Sequence, residues 1–195
     1  ETGGDGDGDG DGDGDGEATC WELGNTIVAD IDETLTLSDA EFLMQLTNVD
    51  YDPVEREGAH EMIQAYYDLG FNVVYLTARA HSQSATDPDM TSAEQLTRDW
   101  LTAHEFPVGD FTRLEMADNF VFGDSAAEYK TERLMELQDM GLVFHYAYGN
   151  AESDITAYEN AGIDKAATFI IGEEAGMAGT VAIEGEGWVD HTRSE

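Results

Sequence analysis

The stretch TIVADIDETLTLSD, residues 26–39, carries an apolar run directly into a group of acids. Asp30 and Asp32 stand two residues apart at the end of that run. This spacing alone has little weight, because 43 of the 195 residues are Asp or Glu and the net charge is −35. The pair gains meaning from its position after an apolar segment and from the residues that the rest of the chain brings to the same place.

Four further apolar runs recur along the chain. The five runs together span residues 25–30, 71–77, 119–123, 142–149 and 167–172. Continuous apolar runs are typical of strands that are covered on both faces, as in a parallel sheet. Helical patterns lie between them at 54–70, 91–106, 125–141 and 151–162. This alternation predicts a doubly wound, Rossmann-like α/β fold with a mainly parallel sheet of about five strands.

The chain is predicted to hold one domain behind a spacer. Residues 1–17 form a glycine–aspartate repeat with no side chain that can pack, which predicts a disordered, solvated segment. Residues 1–3 could be a cloning remnant. Residues 18–195 are expected to form the domain. Segments 37–56 and 81–122 are the two places for an inserted cap, and both are too short for a full cap domain.

The acidity of the chain limits its partners. A net charge of −35 argues against nucleic acid and, more weakly, against an anionic membrane surface, because like charges repel. Only two lysines are present, and an acid-rich, lysine-poor surface predicts a salt-adapted source. The spacer favours an exported or surface-tethered protein, with a cytoplasmic protein of a salt-adapted organism as the alternative. No apolar run approaches the ~18–20 residues of a transmembrane segment.

Polar residues collect where the predicted strands end. The working site of a doubly wound sheet lies beyond the carboxyl ends of its strands. The residues expected there are Asp30, Asp32 and Thr34 after the first strand, Thr77 and Arg79 after the second, and Asn150 and Asp154 after the fourth. Carboxylate and amide oxygens suit Mg²⁺. One aspartate can attack phosphorus, and a second can exchange a proton with the leaving group and with water.

Phosphoryl transfer also needs a fixed cation, and Lys130 is the candidate. It lies one turn into the helix predicted at 125–141 and is one of two lysines in the chain. The alternative is a solvated lysine paired with Glu128 or Glu132.

Four segments resemble the motifs of haloacid dehalogenase-superfamily phosphatases, in their order and spacing. They are DIDETLT at 30–36, LTAR at 76–79, Lys130, and GNAESD at 149–154. The longer segments DIDETLTLSD and YAYGNAESDITAYENAGI resemble the phosphatase domain of the lipins, which are Mg²⁺-dependent phosphatidate phosphatases. A related domain occurs in Nir-type phosphatidylinositol-transfer proteins. The resemblance spans roughly residues 25–172 and implies a domain of this superfamily with little or no cap.

The resemblance implies a role for each acid of the matched motifs. Asp30 would be the nucleophile and a metal ligand. Asp32 would be the general acid and base, with its backbone carbonyl on the metal. Mg²⁺ is the implied cofactor, held also by Asn150 and, directly or through water, by Asp154.

The resemblance implies that the remaining matched residues contact the phosphoryl group or the rest of the substrate. Thr77 would donate a hydrogen bond to the phosphoryl group, and Lys130 would neutralise it. Residues expected to bind substrate are Thr34, Ala78 and Arg79. For Arg79 the alternative is a structural ion pair with a nearby acid such as Asp154.

Two departures from the lipin pattern stand out. Glu33 occupies the position of a lipin glycine, so the local turn is expected to differ. The basic and amphipathic segments through which lipins reach membranes are missing from this sequence, which weighs more against the lipid substrate than against the phosphatase chemistry.

The leading expectation is a Mg²⁺-dependent phosphomonoester hydrolase with phosphatidate or a related lipid phosphate as substrate. One alternative is a phosphatase for soluble or protein phosphate, which the acidic surface favours. The other is a non-catalytic phosphatidate-binding domain, which the intact Asp30 and Asp32 disfavour.

Overall fold

The structure, a computed structural model, describes residues 24–192, and the predicted spacer at 1–17 lies outside the described residues. The strands are Asn25–Ala29 (β1), Asn72–Ala80 (β2), Thr112–Ala117 (β3), Val143–Gly149 (β4), Thr168–Ile170 (β5) and Val181–Ala182 (β6). The helices are Ala40–Thr47 (α1), Ala59–Asp68 (α2), Ala93–Ala103 (α3), Asp124–Asp139 (α4), Glu152–Asn160 (α5) and Val189–Thr192 (α6). The strands form one parallel sheet in the order β3-β2-β1-β4-β5-β6, so the predicted doubly wound α/β fold is confirmed.

Apolar side chains cover the sheet on both faces, as its continuous apolar strands predict. On one face, Met62 of α2 and Trp100 of α3 pack in a cluster with Ile27 of β1. On the other, Leu134 of α4 packs in a cluster with Val28. Neighbouring residues of β1 therefore point to opposite faces, and both are fully buried. The core thus encloses β1, the strand that leads to Asp-x-Asp.

The third strand lies earlier in the chain than the sequence predicts. The apolar run predicts it at 119–123, but β3 spans Thr112–Ala117 and residues 118–123 form a loop into α4. Among residues 24–192, β3 pairs with β2 alone and is an edge strand, and most of its side chains are half-buried. Such a strand needs no continuous apolar run, so its sequence lacks the pattern that marks the central strands. The apolar run after it stays in the loop.

Two other segments differ from expectation. Residues 54–58, predicted as the first turns of a helix, are not helical, and α2 begins only after Gly58, whose φ is +80°. Segment 37–56 contains α1, which no helical pattern in the sequence predicts, and segment 81–122 supplies α3 and β3 to the main fold. Within residues 24–192, neither segment forms a cap domain, and no helix has both the length and the apolarity to cross a membrane.

The sheet order places the predicted site residues at one edge. The chain moves outward from β1 through β2 to β3, then returns to the other side of β1 with β4. Ligands bind in doubly wound folds at this switch point, beyond the carboxyl ends of the strands. The carboxyl ends of β1, β2 and β4 meet there.

Candidate active site

Asp30 is the first residue after β1 and is 4% exposed. Its backbone N–H donates to the carbonyl oxygen of Tyr148 at 3.0 Å, which ties the loop to the neighbouring strand β4. The chain then turns sharply, because the N–H groups of Leu35 and Thr36 both donate to the carbonyl oxygen of Ile31, at 2.8 and 3.0 Å. The Asp30 carboxylate is thus held at the edge of the sheet by backbone bonds on either side.

Lys130 reaches this edge from the second turn of α4. Its Nζ lies 2.6 Å from Oδ1 of Asp30 and 2.6 Å from Oδ1 of Asp154. The lysine is 3% exposed, so it is not the solvated helix lysine of the alternative interpretation. The ammonium group joins the loop after β1 to the start of α5.

Asp154 is fully buried and uses both carboxylate oxygens within the protein. Oδ1 accepts from Lys130, and Oδ2 accepts from the backbone N–H groups of Asn150 and Ala151, each at 3.1 Å. Gly149 makes this approach possible, since a Cβ there would lie 2.6 Å from Cβ of Asp154. Asp154 therefore positions Lys130 and the loop after β4. Direct contact between Asp154 and a metal stays a prediction.

The charges at this edge leave negative charge in excess. The cavity is lined by two cations, Lys130 and Arg79, and by four carboxyl groups, those of Asp30, Asp32, Asp39 and Asp154. Burial raises the pKa of Asp30 to about 7, although the Lys130 charge acts in the opposite direction. Burial also opposes the charge of Lys130, but Asp154 and Asp30 outweigh it and raise the pKa of Lys130 above its ordinary value. A further cation beside Asp30 would therefore stabilise its carboxylate.

The donor set beside Asp30 fits Mg²⁺. The Thr34 hydroxyl lies 3.3 Å from Oδ2 of Asp30 and 3.0 Å from Oδ1 of Asn150, so both oxygens lie beside the same hydroxyl. Nδ2 of Asn150 lies 3.4 Å from Oε2 of Glu33, which orients the amide oxygen toward Thr34. Carboxylate and amide oxygens next to excess negative charge are what Mg²⁺ requires of a protein site.

Glu33, at the lipin glycine position, has a left-handed backbone with φ +58°. A residue with a Cβ loses roughly 1–2 kcal/mol in this conformation, whereas glycine does not. The turn at Glu33 thus has a conformation that suits glycine, and the expected difference from the lipin turn stays a prediction. In return, the Glu33 carboxylate contacts the Asn150 amide.

Asp32 is held by residues of β2. The Thr77 hydroxyl donates to Oδ2 of Asp32 at 3.1 Å. Nε of Arg79 donates to Oδ2 at 2.9 Å and Nη2 donates to Oδ1 at 2.9 Å, while Nη1 donates to the Thr97 hydroxyl on α3. The ion-pair alternative for Arg79 thus holds, but its partner is Asp32 and not the Asp154 suggested by the sequence. Whether Arg79 also binds substrate stays a prediction.

An open cavity of about 330 Å³ lies above these groups. Its lining includes the predicted residues Asp30, Asp32, Ala78, Arg79, Lys130, Asn150 and Asp154. Thr34 and Thr77 do not line it; both are fully buried and hold the carboxylates from behind. Their hydroxyls bind Asp30, Asn150 and Asp32. The predicted contacts of Thr77 with a phosphoryl group and of Thr34 with substrate stay predictions.

Two residues that shape the loop after β1 were missed in the sequence. Trp188 donates from Nε1 to the carbonyl oxygen of Thr34 at 2.9 Å. Nη2 of Arg56 donates to the carbonyl oxygens of Glu33 at 2.8 Å and Leu37 at 3.2 Å. The sequence signal for Trp188 was its large apolar side chain in a mostly polar carboxyl-terminal segment. Arg56 lay in a segment predicted as helix.

Known structures share this fold. Phosphoserine phosphatase in its apo form superposes with a TM-score of 0.52 at 12% identity, over 88% of this chain and 98% of that chain. A substrate-bound phosphoserine phosphatase complex gives 0.51 at 10% identity, over 88% and 98%. At such identities the likeness shows the fold alone, which is the one expected for the haloacid dehalogenase superfamily.

Sequence comparison identifies nearer relatives. The chain is 30% identical over 149 residues to the protein retinal degeneration B of Drosophila melanogaster, which covers 75% of this chain and 11% of that protein. It is 28% identical over 134 residues to the human membrane-associated phosphatidylinositol transfer protein 3, covering 69% of this chain and 12% of that protein. The chain therefore spans about a tenth of the length of these relatives.

The family model described as PITM 1-3, LNS2 domain, matches residues 27–172. This segment runs from β1 to just beyond β5 and contains Asp30, Lys130 and Asp154. The chain belongs to the family of LNS2 domains that this model describes.

Proposed function

We propose that the protein is a Mg²⁺-dependent phosphomonoester hydrolase that works through Asp30, with phosphatidate or a related lipid phosphate as substrate. The observation that carries the proposal is the buried contact of Lys130 with both Asp30 and Asp154 on the floor of an open cavity. Carboxylates on the floor repel a phosphate anion unless a cation lies between them. A site that transfers the phosphoryl group through a covalent intermediate needs one of them as nucleophile.

In the first step, a carboxylate oxygen of Asp30 forms a bond to phosphorus as the bond from phosphorus to the ester oxygen breaks. The leaving oxygen takes a proton from Asp32, which lines the same cavity. The product alcohol leaves, and the phosphoryl group remains on Asp30.

In the second step, water gives a proton to Asp32 and its oxygen attacks phosphorus. The bond from phosphorus to Asp30 breaks, which restores the carboxylate and releases inorganic phosphate. Lys130 stays bonded to Asp154 throughout and offsets negative charge at the attacked group.

Asp30, the amide oxygen of Asn150 and the backbone carbonyl of Asp32 would hold the metal. When bound, Mg²⁺ offsets the negative charge of the phosphoryl oxygens and orients the group for attack. Asp154 contributes indirectly, because its two oxygens already accept from Lys130 and from two backbone N–H groups.

The lipid part of the proposal rests on the family. The human relative is named as a phosphatidylinositol transfer protein, which associates that protein with a phospholipid. The same observation favours a second candidate, a domain that binds a lipid phosphate without hydrolysing it. Intact Asp30 and Asp32 support the enzyme over this candidate.

The test is a screen for phosphate release in the presence of Mg²⁺. Substrates are phosphatidate in vesicles, p-nitrophenyl phosphate and a set of soluble phosphomonoesters. Wild-type protein is expected to release phosphate, and this release is expected to stop when EDTA is added. The rate of Asp30→Asn is expected to be at least ~10³-fold lower than that of wild type. Asp110→Asn, which changes an exposed aspartate before β3, is the matched control and should retain the rate.

Each negative outcome has a distinct meaning. No release from any substrate would refute the enzyme, and binding of phosphatidate vesicles without hydrolysis would then identify the second candidate. Equal rates for Asp30→Asn and wild type would refute the nucleophile. Hydrolysis of soluble esters without hydrolysis of phosphatidate would refute the lipid substrate.

A further inference from the structure

Large apolar side chains stand exposed around the mouth of the cavity. Phe120 and Phe122 are 66% and 72% exposed, and Leu43 of α1 is 56% exposed. All three line the cavity that Asp30 and Lys130 line from below. We call these three residues the apolar rim.

The apolar rim is not a loosely attached segment. The Ser125 hydroxyl lies 3.0 Å from the backbone N of Phe122 and 2.9 Å from its carbonyl oxygen, which fixes the end of the loop to the first turn of α4. Gly123, with φ +53°, turns the chain into the helix. The two phenylalanine rings lie 5.7 Å apart between centroids. The loop thus has a defined conformation that presents both rings outward.

Phe120 and Phe122 form a patch of two neighbouring exposed rings and are not scattered single residues. Leaving a phenylalanine side chain in water forgoes roughly 1.5–3 kcal/mol that its burial would contribute. Contiguous exposed apolar side chains beside a functional cavity mark a surface that meets a partner. The apolar rim lines the same cavity as Asp30, so a partner that covers the rim meets the protein next to the substrate.

The charges around the cavity indicate what kind of partner fits. Among its described lining residues, the only cationic side chains are Arg79 and Lys130, and both are buried in ion pairs. The chain as a whole carries −35. The rim therefore offers no cation for a phosphopeptide or another polyanion. It does offer apolar surface, which suits hydrocarbon.

We propose that the apolar rim inserts into the acyl-chain boundary of a lipid bilayer and thereby places the phosphate of a membrane lipid over Asp30. This inference rests on the proposed function for the chemistry of the cavity floor. A phospholipid whose phosphate ends its head group matches the cavity, because its charged end meets the floor and its hydrocarbon end meets the rim. The interaction surface is assigned by the exposed side chains and their shared cavity.

Docking of this kind has a characteristic dependence on salt. Basic membrane-binding segments lose affinity as salt rises, because their attraction to anionic lipids is screened. An acidic protein that inserts apolar side chains is repelled by anionic lipids, and salt screens that repulsion. Vesicle binding is therefore retained or strengthened at high NaCl.

The experiment compares two double variants of the full chain. Phe120→Ser/Phe122→Ser removes the rings of the rim. Leu69→Ser/Phe111→Ser removes two exposed apolar side chains, 75% and 45% exposed, that precede β2 and β3 at the opposite edge of the sheet. The vesicles are phosphatidylcholine with a minor fraction of phosphatidate, and binding is measured by flotation at low and high NaCl. Phosphate release from these vesicles is divided by release from p-nitrophenyl phosphate, which reports the chemistry alone.

The rim variant is expected to lose at least about tenfold in vesicle binding and in the ratio of the two rates, while the control variant keeps both. Equal loss in the two double variants, or vesicle binding by the rim variant at the wild-type level, would overturn the proposal. Vesicle binding that falls steeply as NaCl rises would also overturn it.

The proposal can fail separately from the proposed function. Flotation of Asp30→Asn protein, with and without the two rim substitutions, tests docking in a protein that does not turn over substrate. Loss of flotation on removal of the rim supports docking even if no substrate is hydrolysed. Hydrolysis without any dependence on the rim supports the enzyme and overturns the docking surface.

Discussion

The floor and the rim of the cavity are built in opposite ways. On the floor, Asp30, Lys130 and Asp154 are 4%, 3% and 0% exposed, whereas Phe120 and Phe122 of the rim are 66% and 72% exposed. Folding by itself favours the reverse, because burying a charge costs free energy and burying a phenylalanine contributes it. The two departures lie at one edge of the sheet, and both suit a site that handles a phosphate attached to hydrocarbon.

The two regions also differ in how the rest of the molecule depends on them. Each charge on the floor has at least two hydrogen-bond partners within the protein. Lys130 of α4 joins the loop after β1 to α5. The rim side chains face solvent, and only the loop backbone is anchored. The floor should therefore control stability and the rim should not.

The largest expected effect is on the floor. Lys130→Met leaves two buried carboxylates without their cation, which is expected to cost about 3–5 kcal/mol of unfolding free energy. Urea denaturation measures this. The control is Lys165→Met, which removes the chain's other lysine from a surface pair with Glu159 at 3.0 Å and should cost less than about 1 kcal/mol. Similar losses in both variants would contradict the contrast between floor and surface.

A second effect concerns pH. Burial raises the pKa of Asp30 to about 7, well above the ~3.9 of an unfolded aspartate. Between these two pKa values the folded protein binds the proton of Asp30 more tightly than the unfolded protein does. Protonation of Asp30 therefore stabilises the fold below pH ~4, and this stabilisation is lost as pH rises to about 7. In EDTA, the unfolding free energy of Asp30→Asn relative to that of wild type should therefore rise by about 2–4 kcal/mol between pH ~4 and about 7. Denaturation curves at several pH values, with Asp110→Asn as control, measure the change; a constant difference between Asp30→Asn and wild type would refute it.

The smallest effect is expected at the rim. Phe120→Ser/Phe122→Ser should change the unfolding free energy by less than about 1 kcal/mol, because both side chains are already in water. Phe106→Ser, which replaces a core phenylalanine that is 3% exposed, should cost about 3–5 kcal/mol. Thermal and urea denaturation distinguish the two. A large loss in the rim variant would mean that the rings serve the fold, which would erase the contrast with the floor.

The sequence alone determined the architecture and most of the floor. Continuous apolar runs marked β1, β2, β4 and β5, because a strand covered on both faces must be apolar at every position. Once the strands alternate with helices, their carboxyl ends must share an edge, and this alone assigns Asp30, Arg79 and Asn150 to one site.

Only the tertiary structure decided which residues pair and where the edge strand lies. Asp30 and Lys130 are 100 residues apart in the chain, and no local pattern states whether a lysine pairs across that distance or with its helical neighbours. Arg79 pairs with Asp32, 47 residues earlier in the chain. Arg56 and Trp188 bind carbonyl oxygens of the loop after β1, at Glu33 and Thr34, which lie 23 and 154 residues away. β3 lies at the edge of the sheet, so its side chains need not all be apolar, and the pattern of apolar residues does not predict it. The apolar run at 119–123 therefore looked like a strand, whereas the fold left its two phenylalanines in solvent at the mouth of the cavity.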